Sequence, residues 1–279
     1  MKRAAARIVS ACLTFILGTT ASSLWHYYKT PQSSPSQVLP GKPSINAPAA
    51  TPIAAAPPAA APDEITFGGG LKLVSNELQL KDEITRYKVN LIYPQIVGTN
   101  ALPIRKLNKH IKQLALQDSP WTLAPTREEL RFYKEKWPEV FNSIYLDYEV
   151  VLATDSFLSI YFSGEGYGIG AAHAVQYSRV VNYDLSSHRL LKLSDVFKPG
   201  SKYLKFISQY CIDQLSRGEH GNYLSKDNLA PVASNFESWN LTKDGIRFNF
   251  DECRLLSCAD GEQTVEIPFT ALREMMSIR

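Results

Sequence analysis

The segment Ser163-Gly-Glu-Gly-Tyr-Gly-Ile-Gly-Ala-Ala-His173 gathers a hydroxyl, a carboxylate, a phenol and an imidazole in eleven residues. His173, with Glu165 or Asp184 beside it, has the makings of a general base, because imidazole changes charge near neutral pH. A metal centre would need more ligands. His110, His188 and His220 are scattered, and no H-E-x-x-H is present. The expected role of His173 is therefore a backbone hydrogen bond that fixes a tight corner. Serine chemistry is poorly supported, since Tyr161 stands where a G-x-S-x-G elbow needs glycine. Gly166, Gly168 and Gly170 suggest a phosphate loop, but Val175–Tyr183 alternates like a strand and offers no helix N-terminus. Asp251, Glu252, Asp260 and Glu262 include carboxylates suited to acid/base pairing, and at loop ends they are expected to be solvated. Glu165, Tyr167, Gly168, Gly170, His173 and Tyr177 are expected to shape a binding edge. No catalytic residue, metal or cofactor is expected.

The elements that must position these residues read as α+β: antiparallel sheets with helices packed on one face, in two closely packed subdomains. Leu78–Tyr93 has strand alternation ending at Pro94, and Ile104, Leu107, Ile111 and Leu114 recur at helical spacing. Arg105, Lys106, Lys109 and Lys112 occupy the outer faces of that helix and are expected to be solvated, with attraction of anionic polymers or lipid headgroups as the alternative. Thr126-Arg-Glu-Glu129 has the form of a capping box opening a second helix. Ser143–Ala153 and Phe157–Ser163 form a hairpin, followed by a glycine loop, a strand at 175–183, and a helix over 201–217 capped by Ser201. A broken helix is expected over 225–236. Asp244-Gly245 marks a second hairpin, and Pro268 opens a terminal helix. The expected divisions are 1–30, an anchor or signal peptide; 31–70, a tether; 71–163, an N-terminal subdomain; and 164–279, a C-terminal domain.

Lys2, Arg3 and Arg7 precede an uncharged run, Ile8–Trp25, which marks an export signal or a membrane anchor. An uncleaved anchor in the inner membrane over residues 8–25 is the favoured reading, with a cleaved signal as the alternative. Pro31–Pro62 is rich in proline and alanine and cannot bury a core. As polyproline II it reaches on the order of 100 Å. The formal charge of +3 resides in these ends. From Glu64 onward 25 basic and 26 acidic residues remain, so no nucleic-acid footprint is present.

Cys211, Cys253 and Cys258 lie beyond the leader. Cys211 shares a helical face with Leu204, Ile207 and Leu215 and is expected to be buried. Cys253–Cys258 requires the chain to bend through 254–257, because a strand of that length separates its ends by roughly 16 Å. Cys211–Cys258 is the rival pairing.

Gly170-Ala-Ala-His173, the strand ending at Asp184-Leu185, and Leu191-Lys-Leu-Ser-Asp-Val-Phe197 together resemble a known module, with Phe248–Phe250, Gly261, Val265-Glu-Ile-Pro268 and Leu272 completing the pattern. The module is the extracytoplasmic domain of RsiV-type lysozyme-sensing anti-sigma factors, a domain of unknown function also found beside the catalytic domain of PdaC-type peptidoglycan deacetylases. Tyr87–Leu114, with Pro94, Gly98, Asn100 and Asn108, resembles the small domain that precedes it. Ala174 replaces the family's proline, and His188 stands near the place of a turn glycine. Cysteines at 253 and 258 replace aromatic residues, which supports a local pair. The resemblance implies an exported binding module that recognises a lysozyme-like protein or cell-wall glycan. With only Met1–Arg7 before the apolar run and no deacetylase domain after the module, neither a full anti-sigma factor nor a full deacetylase is expected. The alternative is a wall-modifying enzyme using His173 and a nearby carboxylate.

Overall fold

A computed structural model describes residues 65–277, apart from 69 and 118–125. The expected anchor at 8–25 and nearly all of the tether lie outside the described residues, and among these no helix is long and apolar enough to cross a membrane. Seven strands form one sheet in chain order: β1 (Ile65–Phe67), β2 (Leu71–Asp82), β3 (Tyr87–Val97), β4 (Asn142–Ala153), β5 (Phe157–Tyr167), β6 (Val175–Asp184) and β7 (Arg189–Leu190). Neighbours are antiparallel except β3 and β4, whose parallel pairing is bridged by helices α1 (Leu102–Leu116) and α2 (Arg127–Lys136). A parallel pair needs such a crossover.

Alternation places Leu158, Ile160 and Phe162 of β5 on one face, with Leu146, Val181 and Tyr183. Helix α1 covers that face because Ile104, Leu107, Ile111 and Ala115 recur along one stripe. Part of the other face is covered by a smaller antiparallel sheet, ordered β10 (Gln263–Pro268), β9 (Gly245–Phe250) and β8 (Trp239–Leu241). Two short helices, α3 (Leu193–Val196) and α5 (Phe269–Leu272), and the longer α4 (Tyr203–Leu215) complete this second core around Ile207, Phe236, Phe248 and Phe250.

The α+β expectation holds, and several details differ. The 163/164 division falls inside β5, and the two cores part instead between Leu185 and Leu191. The tether cannot extend to 70, because Ile65–Phe67 already pairs with β2. Pro94 does not end its strand. Pairing of β3 with β4 stops at Leu91, so beyond it one side of β3 carries no ladder for proline to interrupt. Ser201 does not cap α4: its hydroxyl donates to the Lys198 carbonyl in the preceding turn, leaving Lys202 at the cap position. Residues 225–236 form two 3-10 turns rather than an α-helix, and the terminal helix is one turn long. The Thr126 capping box is present in full.

Candidate functional site

The glycine-dense segment is half strand. Ser163 to Tyr167 continue β5, and only 168–174 is loop. Gly164 is required by a close approach, since a Cβ there would run into the Tyr177 ring on β6. Gly170 has φ +91°, a left-handed conformation that favours glycine, so it turns the corner. His173 is exposed, and its Nδ1 lies 2.8 Å from the Ala174 carbonyl. Among the described residues no carboxylate is bonded to it: Asp184 is occupied by Ser186 and Ser187 in the next turn, and those bonds outweigh burial and hold its carboxyl below the ordinary range. The turn ends at His188, at φ +55°.

Cross-strand partners share a face, so the register shows which side chains meet. One unbroken row runs across five strands: Gln79, Asn90, Tyr145, Glu165 and Gln176. It lies on the face opposite α1, next to the part covered by the small sheet. Glu165 and Tyr167 therefore belong to a sheet surface, whereas Gly168, Gly170 and His173 sit beyond its end. Tyr177 points the other way, into the first core, and is only 9% exposed. The six expected residues are thus split among a face, a loop and a core.

Three residues not singled out from the sequence complete the face: Glu77, Tyr145 and Asp147. Tyr145 donates from its hydroxyl to Asp147 at 3.2 Å. Its phenol is pushed up to about 12 by partial burial first, then by Asp147, Glu165 and Glu77. Asp147 is itself buried, and its other oxygen accepts from the Tyr148 N–H. Glu165 stands directly across from Tyr145, and Glu77 lies on the same face two strands away. Among the described residues none of the three is in an ion pair. Lys81 and Lys88, over the Phe141 ring, bound the patch on one side. The Arg247–Glu149 pair, at 2.9 Å, bounds it on the other.

Beyond that boundary the two sheets are joined by buried polar groups. Ser159 donates to Asn182 Oδ1 at 2.7 Å, and Asn182 Nδ2 donates to the Trp239 carbonyl at 2.7 Å. Asn240 donates to Ser159 and to the Ile160 carbonyl, and Asn249 donates to Asn240. Ser178 donates to Asp251 at 2.6 Å, and Tyr161 to Glu262 at 2.5 Å. Asp251 and Glu262 are consequently not solvated as expected. Burial pushes both carboxyls above their ordinary range, because the second layer removes water from them. Glu262 lines an open cavity of about 250 Å³ with Glu149, Tyr161, Arg247, Asn249 and Thr264.

A carboxyl raised in the folded state stabilises the fold fully below its unfolded pKa and loses that stabilisation as pH rises through the folded value. Glu262→Gln keeps an acceptor for Tyr161 and removes the titration. Its melting temperature relative to the parent should rise as pH goes from about 4 to about 7. A difference that stays constant over that window would count against burial of this carboxyl.

The cysteine question is resolved in favour of Cys253–Cys258, whose α-carbons lie 4.1 Å apart, with Cys253 at φ +63° starting the bend. Cys211 is free and buried, its thiol pushed up to about 12 by burial. The disulfide loop follows Asp251 and Glu252, both bonded to β6.

The second core, with its Leu193–Phe197 entry and its β9–β10 hairpin, is the part that a family model matches. Residues 194–270 match DUF3298, a family of proteins of unknown function. The peptidoglycan-N-acetylmuramic acid deacetylase PdaC of Bacillus subtilis (strain 168) is 28% identical over 138 residues, which make up 48% of this chain. They are only 29% of PdaC, so the chain spans under a third of that relative. A crystal structure of a DUF3298 family member from Bacteroides fragilis NCTC 9343 has the same fold, with a TM-score of 0.58 at 18% identity, over 77% of this chain and 96% of that one. A DUF3298 protein from Pseudomonas aeruginosa PAO1 covers 74% of this chain, with 94% of its own length matched, at 17% identity and a TM-score of 0.46. The resemblance to the domain of PdaC-type deacetylases is therefore borne out: residues 194–270 match DUF3298, and the chain is similar to PdaC over 138 residues.

Proposed function

We propose that this chain is an exported binding module of the bacterial cell envelope whose acidic sheet face recognises a cationic, lysozyme-like protein. The observation that carries the reading is the sheet face on which Glu165 stands across from Tyr145 and the exposed Glu77 shares the side, backed by the buried Asp147, with none of these carboxylates in an ion pair among the described residues. Such a patch draws a positively charged surface and accelerates encounter. Tyr145 and Tyr167 add amphipathic area of the kind enriched at interfaces. The envelope setting rests on the relationship to PdaC, named for its action on peptidoglycan, and on the basic-then-apolar leader. Cell-wall glycan is the competing ligand. The stem peptides of the wall carry carboxylates of their own, which an acidic face repels. A catalytic role for His173 draws no support from its surroundings, where its bond is to the neighbouring carbonyl.

Titration calorimetry with a lysozyme provides the test. The parent chain should bind, more tightly at low salt, and Glu165→Lys should weaken binding by about tenfold. Unchanged affinity in Glu165→Lys, or capture by purified peptidoglycan with none by lysozyme, would remove the acidic face from the account.

A further inference from the structure

Helix α1 carries four cations and no acid: Arg105, Lys106, Lys109 and Lys112. From Glu64 onward the chain is close to neutral, so this charge is segregated rather than general. All four are exposed, and among the described residues none pairs with a carboxylate. At 100° per residue they fall on one stripe, opposite the buried Ile104, Leu107, Ile111 and Ala115. The same stripe begins at Leu102, 54% exposed, whereas Leu116 at the far end packs against the first core. A row of cations that starts at an exposed leucine suits an interface that is charged at the surface and apolar just beneath.

We propose that the outer stripe of α1 docks on a membrane surface rich in anionic phospholipid. Charge complementarity selects a polyanion, and the exposed Leu102 favours a lipid surface over a soluble polymer. The leader points the same way, since Lys2, Arg3 and Arg7 before Ile8–Trp25 have the composition of a segment delivered to a membrane. The fold then fixes an orientation. The α1 side and the Tyr145–Glu165 face are opposite sides of one sheet, so a domain lying on α1 directs its acidic face away from the membrane. Docking does not require the acidic face to bind anything, so the two readings stand or fall separately.

The test uses the full chain added to vesicles of phosphatidylcholine alone or mixed with phosphatidylglycerol, with amine-labelling rates read at each lysine by mass spectrometry. Lys106, Lys109 and Lys112 should label several-fold more slowly on the anionic vesicles only, with Lys243 unchanged and the protection lost at high salt. Lys109→Gln should weaken vesicle binding by about fivefold; the residue is exposed and unpaired, so its loss should not disturb folding. Equal labelling on both vesicle types would overturn the proposal. So would equal protection by inorganic polyphosphate without vesicles, which would mark a site for soluble polyanions.

Discussion

Asn182→Ala should lower the unfolding free energy by about 3 kcal/mol or more. The side chain lies between the two sheets and makes three bonds at once. Its amide donates to the Trp239 carbonyl, and its carbonyl accepts from the Ser159 hydroxyl and the Leu241 backbone N–H. Alanine removes the acceptor of the Leu241 N–H and the side-chain donor to the Trp239 carbonyl, and leaves the Ser159 hydroxyl with the Asn240 amide; each buried group left unpaired costs about 1–3 kcal/mol where water cannot enter. Asn182→Asp supplies the acceptors, removes the donor and adds a buried charge, so it should not restore stability. Urea unfolding checks both, and a loss below about 1 kcal/mol for Asn182→Ala would mean that water reaches the seam.

Gly164→Val should be the second severe change, at about 1–3 kcal/mol. Gly164 faces Tyr177 across the β5–β6 pair, and that ring occupies the space a Cβ would take. The ring is held in the first core, so it cannot swing clear without disturbing neighbours. Tyr177→Leu should therefore rescue part of the loss, a coupling that a double-mutant cycle measures directly. Gly168 provides the contrast. Nothing lies within 4 Å of a Cβ built there, and its φ is not positive, so Gly168→Ala should be close to neutral. Equal effects at the two positions would show that the segment acts as a loop after all.

Local signals were legible in the sequence. The Thr126 capping box needs only residues three apart, and the apolar stripe of α1 is periodic within one helix. The Thr242–Gly245 turn closes on itself through the Thr242 N–H and the Gly245 carbonyl. Gly164 misleads because the reason for it is a ring thirteen residues further on, in another strand. Pro94 misleads because strand propensity does not reveal where a neighbouring strand departs. Asp251 and Glu262 have the spacing of solvated loop acids, and only the stacking of one sheet on the other buries them. The acidic face was half legible. Glu165 and Tyr167 drew attention through the glycines around them, whereas Glu77, Tyr145 and Asp147 belong to separate strands that register alone brings together.

The central claim is that the open face of the large sheet recognises a partner, and amide hydrogen exchange with and without a lysozyme tests it most directly. Slowed exchange should appear along 143–149 and 163–167, with α1 and the 168–174 loop unchanged. Protection confined to 168–174, or none on β4 and β5, would contradict the account.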